Sequence, residues 1–434
     1  MIISKRKILA VCIIFIISIG SLPIVNSKEM LQDGCYNIEY SGIDQELNLL
    51  RGEFYLYIDA VDNVTSFNVI HAFPPEYGYQ YPIYLEILED TTAKILNYKI
   101  EDQDNIPNKV INFTVGEINT GEQILIHFNT WVLVESYNYE DLPGYKEIPS
   151  IADLPSETKP WLSQTEVAQK DHFLIKSRAQ ILRFSSKNNM LILAEKIAKF
   201  CAHHRYLSWA LRYKLSGLLG YPPQDALTAL LAPTECSSRS HLGCALFRAN
   251  NVPARVVLAM PANYKFWFEM HYMAEYYLKD FGWVLTDVHG GKTPYAPQEI
   301  IILRLCYPDD ENNTQTDYMF SRMKGEERWM WFDNENVKPY YVDLEEGSKM
   351  RSFSENKVVV DLNVANDTID LTSYVFNKYQ AYLGVGLIDE NLQHFQNATD
   401  YMMQAIQELD SNDDSFGYIY YLNKAKIEFD LVIT

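Results

Sequence analysis

The period of the hydrophobic pattern changes twice along this chain, and that change limits the fold more than any other feature. From about residue 36 to 145 the period is two. Phe54, Leu56 and Ile58 alternate, as do Tyr84, Glu86 and Leu88, and the run Ile124, Ile126, Phe128, Thr130, Val132, Val134. Asp, Asn, Gly and Pro bound these segments. Alternation buries one face of each strand, so several such strands separated by turns predict an antiparallel β-sandwich. A linker carrying Pro143, Pro149, Pro155 and Pro160 follows. The pattern is then helical: Ile175, Ala179 and Leu182 share one face behind Asp171 as an N-cap, and Leu193, Ile197 and Phe200 share the next. Residues 226–231 form a short apolar helix stopped by Pro233, and a further helix runs over 236–250. Strands return at 255–260, 271–278, 283–287, 300–305 and 329–332, and helices followed by an antiparallel sheet make an α+β domain. The chain ends in helical spacing again, first Leu392, Phe395, Met402, Ala405 and Leu409, then Phe416, Ile419, Leu422 and Ile427. The turn at 410–415 joins these into an antiparallel hairpin. No internal repeat of fixed period is present.

A chain of 434 residues holds two to four units at ordinary domain size. We divide it into a signal peptide at 1–27, a β-sandwich at 28–148, a catalytic domain at 160–345 and a C-terminal region at 346–434 that ends in the hairpin. With 47% hydrophobic and 13% aromatic residues there is ample material for cores, which excludes a disordered chain. The net charge of −20 argues against nucleic acid as a partner. At the N-terminus, Lys5, Arg6 and Lys7 precede an apolar run from Ile8 to Ile19, and Val25, Asn26 and Ser27 follow. A basic region, a short apolar run and a small residue describe a secretory signal peptide cut near Ser27. The rival reading is an uncleaved membrane anchor, but the run is shorter than the ~20 apolar residues of a spanning helix. The expected location is secreted or at the cell surface, with contact to a membrane only through that N-terminal segment.

Without Cys12 five cysteines remain, Cys35, Cys201, Cys236, Cys244 and Cys306. An odd number outside the cytosol leaves at least one thiol free or paired between chains. Five in so long a chain are no disulfide framework, so the fold rests on its core. Sequons stand at Asn63, Asn112, Asn312, Asn366 and Asn397, a number that chance also produces in a polar chain.

Three residues carry the chemistry. A thiol is a useful nucleophile only as thiolate, and its free pKa of ~8.5 falls near a helix N-terminus or an imidazolium. Cys236 follows Pro233, Thr234 and Glu235 and opens a helix whose first amide N–H groups point at the sulfur and can also hold an oxyanion. His271 opens one strand and Asp287 closes the next, so adjacent antiparallel strands set them side by side, the carboxylate fixing the imidazole tautomer. Singly, each has a plainer reading: an inert buried cysteine, a structural histidine, a strand-end aspartate. Their joint spacing lifts them above it.

The run Glu235 to Arg255, with Arg248 and Arg255 twelve and nineteen residues after Cys236, resembles the transglutaminase-like (papain-like) superfamily. There a catalytic Cys precedes an apolar helix, an Arg and a Gly-Ile-Pro-Ala-Arg string. His271-Tyr-Met-Ala-Glu275 is similar to the family's His-Ala-Trp-Val-Glu strand, and Gly282-Trp283-Val-Leu-Thr-Asp287 to its Gly-Trp-x-x-x-Asp strand. The likeness covers about 165–340, Tyr206 included, and leaves both flanks uncovered. This chain departs from the pattern at Thr234 (Gly in the family), Met273 (Trp), Val288 (Pro) and Asn250-Asn251 (Gly before Ile-Pro). Asn adopts the left-handed backbone most readily after Gly, so that last exchange is conservative. Met273 changes the packing beside the triad and bears on substrate preference. The resemblance implies Cys236 as nucleophile, His271 as base and Asp287 as orienting residue, with no cofactor and no metal.

Other candidates carry less. His203 and His204 are adjacent, so on a helix they point apart and suit no shared metal. Asp410, Asn412 and Asp414 begin like a calcium loop, but Ser415 and Tyr421 occupy the Gly and Glu positions. Arg248 and Arg255 brace the core. The expected activity is cysteine-dependent acyl transfer on an amide or peptide bond of a protein or peptide substrate, by hydrolysis. The alternatives are a cross-linking transglutaminase and a non-catalytic surface binding or scaffold protein.

Overall fold

The computed structural model describes residues 44–103, 107–135, 142, 146–203, 225–231, 235–261, 271–296, 300–312, 330–339, 348–412 and 415–433. The expected signal peptide, Cys12, Cys35, His204, Tyr206 and Thr234 lie outside these residues. Six strands come first: β1 (Asp44–Ala60), β2 (Phe67–Phe73), β3 (Gln80–Ile87), β4 (Ile95–Asp102), β5 (Lys109–Val115) and β6 (Gln123–Glu135). They form two antiparallel sheets whose inner faces meet through rings. Phe54 on β1 stacks on Phe128 on β6 at 4.8 Å, and Phe113 on β5 lies 5.4 Å from Phe128. His71 on β2 sits edge-on to Phe54 at 5.1 Å, and burial pushes its pKa down to about 4, so the ring stays neutral among apolar neighbours. Of the alternating residues read from the sequence, Phe54, Leu56, Ile58, Ile126, Phe128, Val132 and Val134 are buried, whereas around β3 the opposite phase is inside: Ile83 and Leu85 are buried and Tyr84, Glu86 and Leu88 are only half-buried.

The two sheets are not completed by N-terminal residues alone. Strand β11 (Met330–Phe332) pairs with β2, while β12 (Val337–Pro339) and β13 (Ser348–Asp361) pair with β1. The sequence reading put the first two at the end of the catalytic span and the third in the C-terminal region. Strand β1, at 17 residues, offers a long row of backbone donors and acceptors on the side away from β6, and the chain returns to pair with it.

The segment after the sandwich turns through 3-10 helices at Ile151–Asp153 and Ser156–Leu162. It is docked rather than loose, since buried Trp161 donates its indole N–H to the Cys306 carbonyl at 2.9 Å. Helices α1 (Phe173–Ser185), α2 (Met190–His203), α3 (Ala226–Leu231) and α4 (Cys236–Ala249) follow. The cap of α1 is His172, whose Nδ1 accepts from the Leu174 N–H, and Asp171 pairs with Lys176 at 2.7 Å instead. A third antiparallel sheet is ordered β10-β7-β8-β9, from β7 (Ala254–Pro261), β8 (His271–Leu278), β9 (Gly282–Thr286) and β10 (Ile300–Leu305). Strands β7 and β10 are buried almost throughout, which requires cover on both faces. Helix α4 supplies one cover. At the edge of the sheet the carboxamides of Gln80 and Asn108 pair with β10: Gln80 bridges Ile302 N and O at 2.6 and 2.9 Å, and Asn108 bridges Leu305 N and O at 2.8 Å each. Each carboxamide stands in for a strand partner. A short helix α5 (Pro308–Asn312) ends this part.

Helices α6 (Leu362–Tyr382), α7 (Asp389–Asn412) and α8 (Ser415–Leu431) complete the chain. α6 packs on the sheet of β1, β6 and β3, with Tyr379 donating to the Leu85 carbonyl at 3.3 Å, and its Phe376 also stacks on Phe73 of β2. α7 and α8 form the expected hairpin, and Met402, Ala405 and Leu409 are buried in it. The buried face of α8 differs from the sequence expectation. Tyr418, Leu422, Ala425 and Phe429 lie inside, whereas Ile427 is 60% exposed. Tyr418 can take a core position because its hydroxyl bonds Thr372 Oγ1 at 2.9 Å. Among the described residues no helix is long and apolar enough to cross a membrane.

Candidate active site

Cys236 is the first residue of α4, and Glu235 precedes it in extended conformation without capping the helix through its side chain. The first amide N–H groups of a helix have no partner inside it and carry the positive end of its dipole, so the sulfur sits where negative charge is favoured. Cys236 is partly exposed, while Ser237 to Arg248 behind it are all buried. That burial holds a polar helix start against the sheet. Ser240 donates to the Tyr272 carbonyl at 2.9 Å, tying α4 to the residue beside His271. Gly243 lets the helix close on the segment after β9: a Cβ there would lie 2.9 Å from Val288 Cγ1.

His271 begins β8, and Asp287 follows the last residue of β9. Ala274 pairs with Thr286, so extending the register by one residue sets Met273 opposite Asp287 and His271 on the diagonal, within reach of a long side chain. His271 Nε2 lies 3.1 Å from Asp287 Oδ1. The Cys236 side chain also interacts with the ring, which puts the thiol beside the imidazole. Burial works against a charged imidazole here, but the hydrogen bonds to Asp287 and Cys236 outweigh it and raise the His271 pKa to about 10. Asp287 is likewise partly desolvated, yet His271 and the Gly290 N–H hold its carboxyl below the usual range. The structure therefore brings Cys236, His271 and Asp287 together from a helix start, a strand start and a strand end.

The loop after Asp287 is folded around its carboxylate. Oδ1 accepts the backbone N–H groups of His289 and Gly290, both at 2.9 Å, and Gly291 N–H donates to the Asp287 carbonyl at 2.7 Å. A Cβ on Gly290 would come within 2.4 Å of Asp287 Oδ2, a distance no real Cβ tolerates. Gly290→Ala should push the carboxylate away from the imidazole and lower kcat by roughly 10- to 100-fold while the protein stays folded. Steady-state kinetics beside a thermal melt tests this, and wild-type kcat in a folded variant would refute it.

Two buried ion pairs brace the site, as expected for Arg248 and Arg255. Arg248 makes a two-pronged pair with Glu311, at 2.7 Å on each side, and donates Nε–H to the Ala254 carbonyl at 2.9 Å. Arg255 pairs with Glu275 at 2.8 Å and lies 3.8 Å from the Trp283 ring. Tyr77, on the sandwich, donates to Glu275 at 2.9 Å and closes that pair. Asn251, the residue after the Asn250 C-cap of α4, has φ of 65°, the left-handed conformation that commonly ends a helix and that Asn tolerates best after Gly. Met273 is wholly buried, as a residue that packs beside the triad would be. Cys244 and Cys201 are buried and burial pushes both thiols up, while Cys306 is buried too. His203 bonds the Lys199 carbonyl through Nδ1. Among the described residues no group of three or more His, Cys, Asp or Glu is arranged to hold a metal ion.

Glu311, His289, Gly290 and Tyr77 escape a reading of the sequence. The Gly290-Gly291 doublet marks a turn, and a buried Arg248 demands a carboxylate, but neither signal names its partner.

Residues 191–288 match the transglutaminase-like superfamily core. Among solved structures, a protein from Cytophaga hutchinsonii described as a "putative cysteine protease" is similar at 12% identity. That match covers 70% of this chain and 98% of the other, with a TM-score of 0.46. A "putative protease" from Parabacteroides distasonis is similar at 12% identity over 58% of this chain and 46% of the other, with a TM-score of 0.24. No curated protein matches.

Proposed function

We propose that this chain, which carries a transglutaminase-like core domain, is an extracytoplasmic cysteine hydrolase of amide or peptide bonds, with Cys236 as nucleophile, His271 as acid and base, and Asp287 as the orienting carboxylate. The observation that carries the reading is the joint geometry: a partly exposed thiol at a helix start, beside an imidazole whose Nε2 is held 3.1 Å from a carboxylate. An imidazolium beside the sulfur favours thiolate.

The steps follow from these positions. The thiolate attacks the substrate carbonyl carbon, a C–S bond forms, and the carbonyl oxygen takes the negative charge among the first amides of α4. As the C–N bond breaks, a proton on His271 passes to the leaving amine, giving a thioester and a neutral imidazole. Water then enters, His271 takes its proton, and the new oxyanion collapses to release the acid and the thiolate. Asp287 stays ionised throughout and fixes the ring. A primary amine in place of water would give cross-linking, so peptide hydrolysis in the presence of a labelled primary amine decides the acceptor. The reading expects free acid. Label incorporated in preference to hydrolysis would move it to a transglutaminase. The extracytoplasmic assignment rests on the basic and apolar pattern of the first 27 residues. N-terminal sequencing from the native host tests it, and a cytosolic chain that keeps Met1 would refute it.

The Asp287 carboxylate gives a signed pH prediction. It helps raise the His271 pKa to about 10, and the imidazolium must keep its proton to serve as acid. Asp287→Asn removes that support, so the alkaline limb of kcat/KM should move to lower pH by roughly one to three units. A limb unmoved in this variant would show that Asp287 does not act on His271.

A further inference from the structure

We propose that Arg239 and His289 form a positioning pair that holds the first turn of α4 in register with the loop carrying Asp287; this rests on the catalytic reading of the site. Arg239 lies three residues beyond Cys236 on the same helix turn and is buried despite its charge. A buried guanidinium is costly unless fixed acceptors receive its N–H groups. Its Nη1 donates at 3.3 Å to the carbonyl of Ala202, in the last turn of α2, and at 3.3 Å to the carbonyl of His289. The helix that begins at Cys236 is thereby tied to a segment 50 residues further along the chain.

His289 passes that restraint to both partners of the thiol. Its backbone N–H donates to Asp287 Oδ1 at 2.9 Å. Its ring stands perpendicular to the His271 ring, with centroids 5.7 Å apart. Edge-to-face contact at that separation is a favourable arrangement that restrains the imidazole. The three reacting side chains come from three separate elements, and a catalytic set works only when held to within about 0.5 Å. One residue on the nucleophile's helix and one on the carboxylate's loop supply that alignment here. Neither is placed at the reacting atoms, so both are positioning residues.

The pairing is tested with Arg239→Met, which keeps the apolar stem and removes the donors, with His289→Ala, which removes the ring, and with His289→Phe, which restores an edge-to-face partner. Three readouts are taken on each full-length variant: kcat and KM on a peptide amide, the thermal midpoint, and the proton resonance of His271 Nε2–H. Arg239→Met and His289→Ala should lose kcat by about 10- to 100-fold with KM within about twofold. Both should broaden the His271 resonance, and His289→Phe should recover most of the kcat and the sharp resonance. Wild-type kcat and resonance in both deleting variants would overturn the proposal. A kcat loss that tracks a lowered midpoint and is not recovered by His289→Phe would overturn it as well. If the wild-type protein turns over no amide at all, the catalytic reading fails, and the His271 resonance still decides whether the pair orders the ring.

Discussion

Cys236→Ala should lose turnover by a factor on the order of 10⁴ or more while remaining folded, because the residue acts at the surface of a helix start rather than in the core. The other three cysteines described in the structure cannot substitute. Cys201, Cys244 and Cys306 are buried, and for Cys201 and Cys244 burial disfavours the thiolate. A small residual rate is expected, since the amides at the start of α4 still polarise a bound carbonyl. Turnover of a peptide amide by purified wild type and variant, each checked for the same melting profile, measures the ratio. A variant that retains a tenth or more of the wild-type rate would mean that the thiol is not the nucleophile.

The second large effect is on stability. Glu311→Ala should destabilise the fold by about 3–5 kcal/mol, because it strands the Arg248 guanidinium in an interior where both side chains are wholly buried. That is a large share of the ~5–15 kcal/mol by which a domain is stable. The cause is the unpaired charge rather than the lost pair, and a double change separates the two. Arg248→Met with Glu311→Leu removes both charges and should recover much of the loss. Recovery will be incomplete, since the Ala254 and Ser163 carbonyls lose the Arg248 donors and the Thr165 hydroxyl loses its acceptor on Glu311. Denaturant unfolding of the three proteins decides it. A single variant within 1 kcal/mol of wild type would contradict the account of how the core is braced.

The elements were easier to read from the sequence than their partners. Strands such as β8 and β10 and helices such as α3 follow from local period and punctuation, and their bounds lie within a residue or two of the pattern. Pairing across the fold carries no local signal. Nothing in the sequence of β11, β12 or β13 says that they return to β1 and β2, because a period of two marks a strand and not its neighbour. The face of α8 was misread for a different reason. Tyr418 is amphipathic, and only the Thr372 hydroxyl in α6 makes it a core residue, leaving Ile427 outside. At the site, Cys236, His271 and Asp287 stand out because each lies at an element end within a motif of fixed spacing. Arg239, His289 and Glu311 do not, since their meaning comes from groups far along the chain, 63 residues in the case of Arg248 and Glu311.

The central claim is that His271 activates Cys236 as a nucleophile. The rate of iodoacetamide alkylation at about pH 6, followed residue by residue in the native protein, measures that directly. At this pH a thiol with the free pKa of ~8.5 is almost wholly protonated and reacts slowly. The account predicts that Cys236 reacts well ahead of glutathione and of Cys244 under the same conditions, and that His271→Ala removes the advantage. If Cys236 in the folded protein reacts no faster than Cys244, or if its rate is unchanged in His271→Ala, the site is not a catalytic thiol centre and the core is a scaffold.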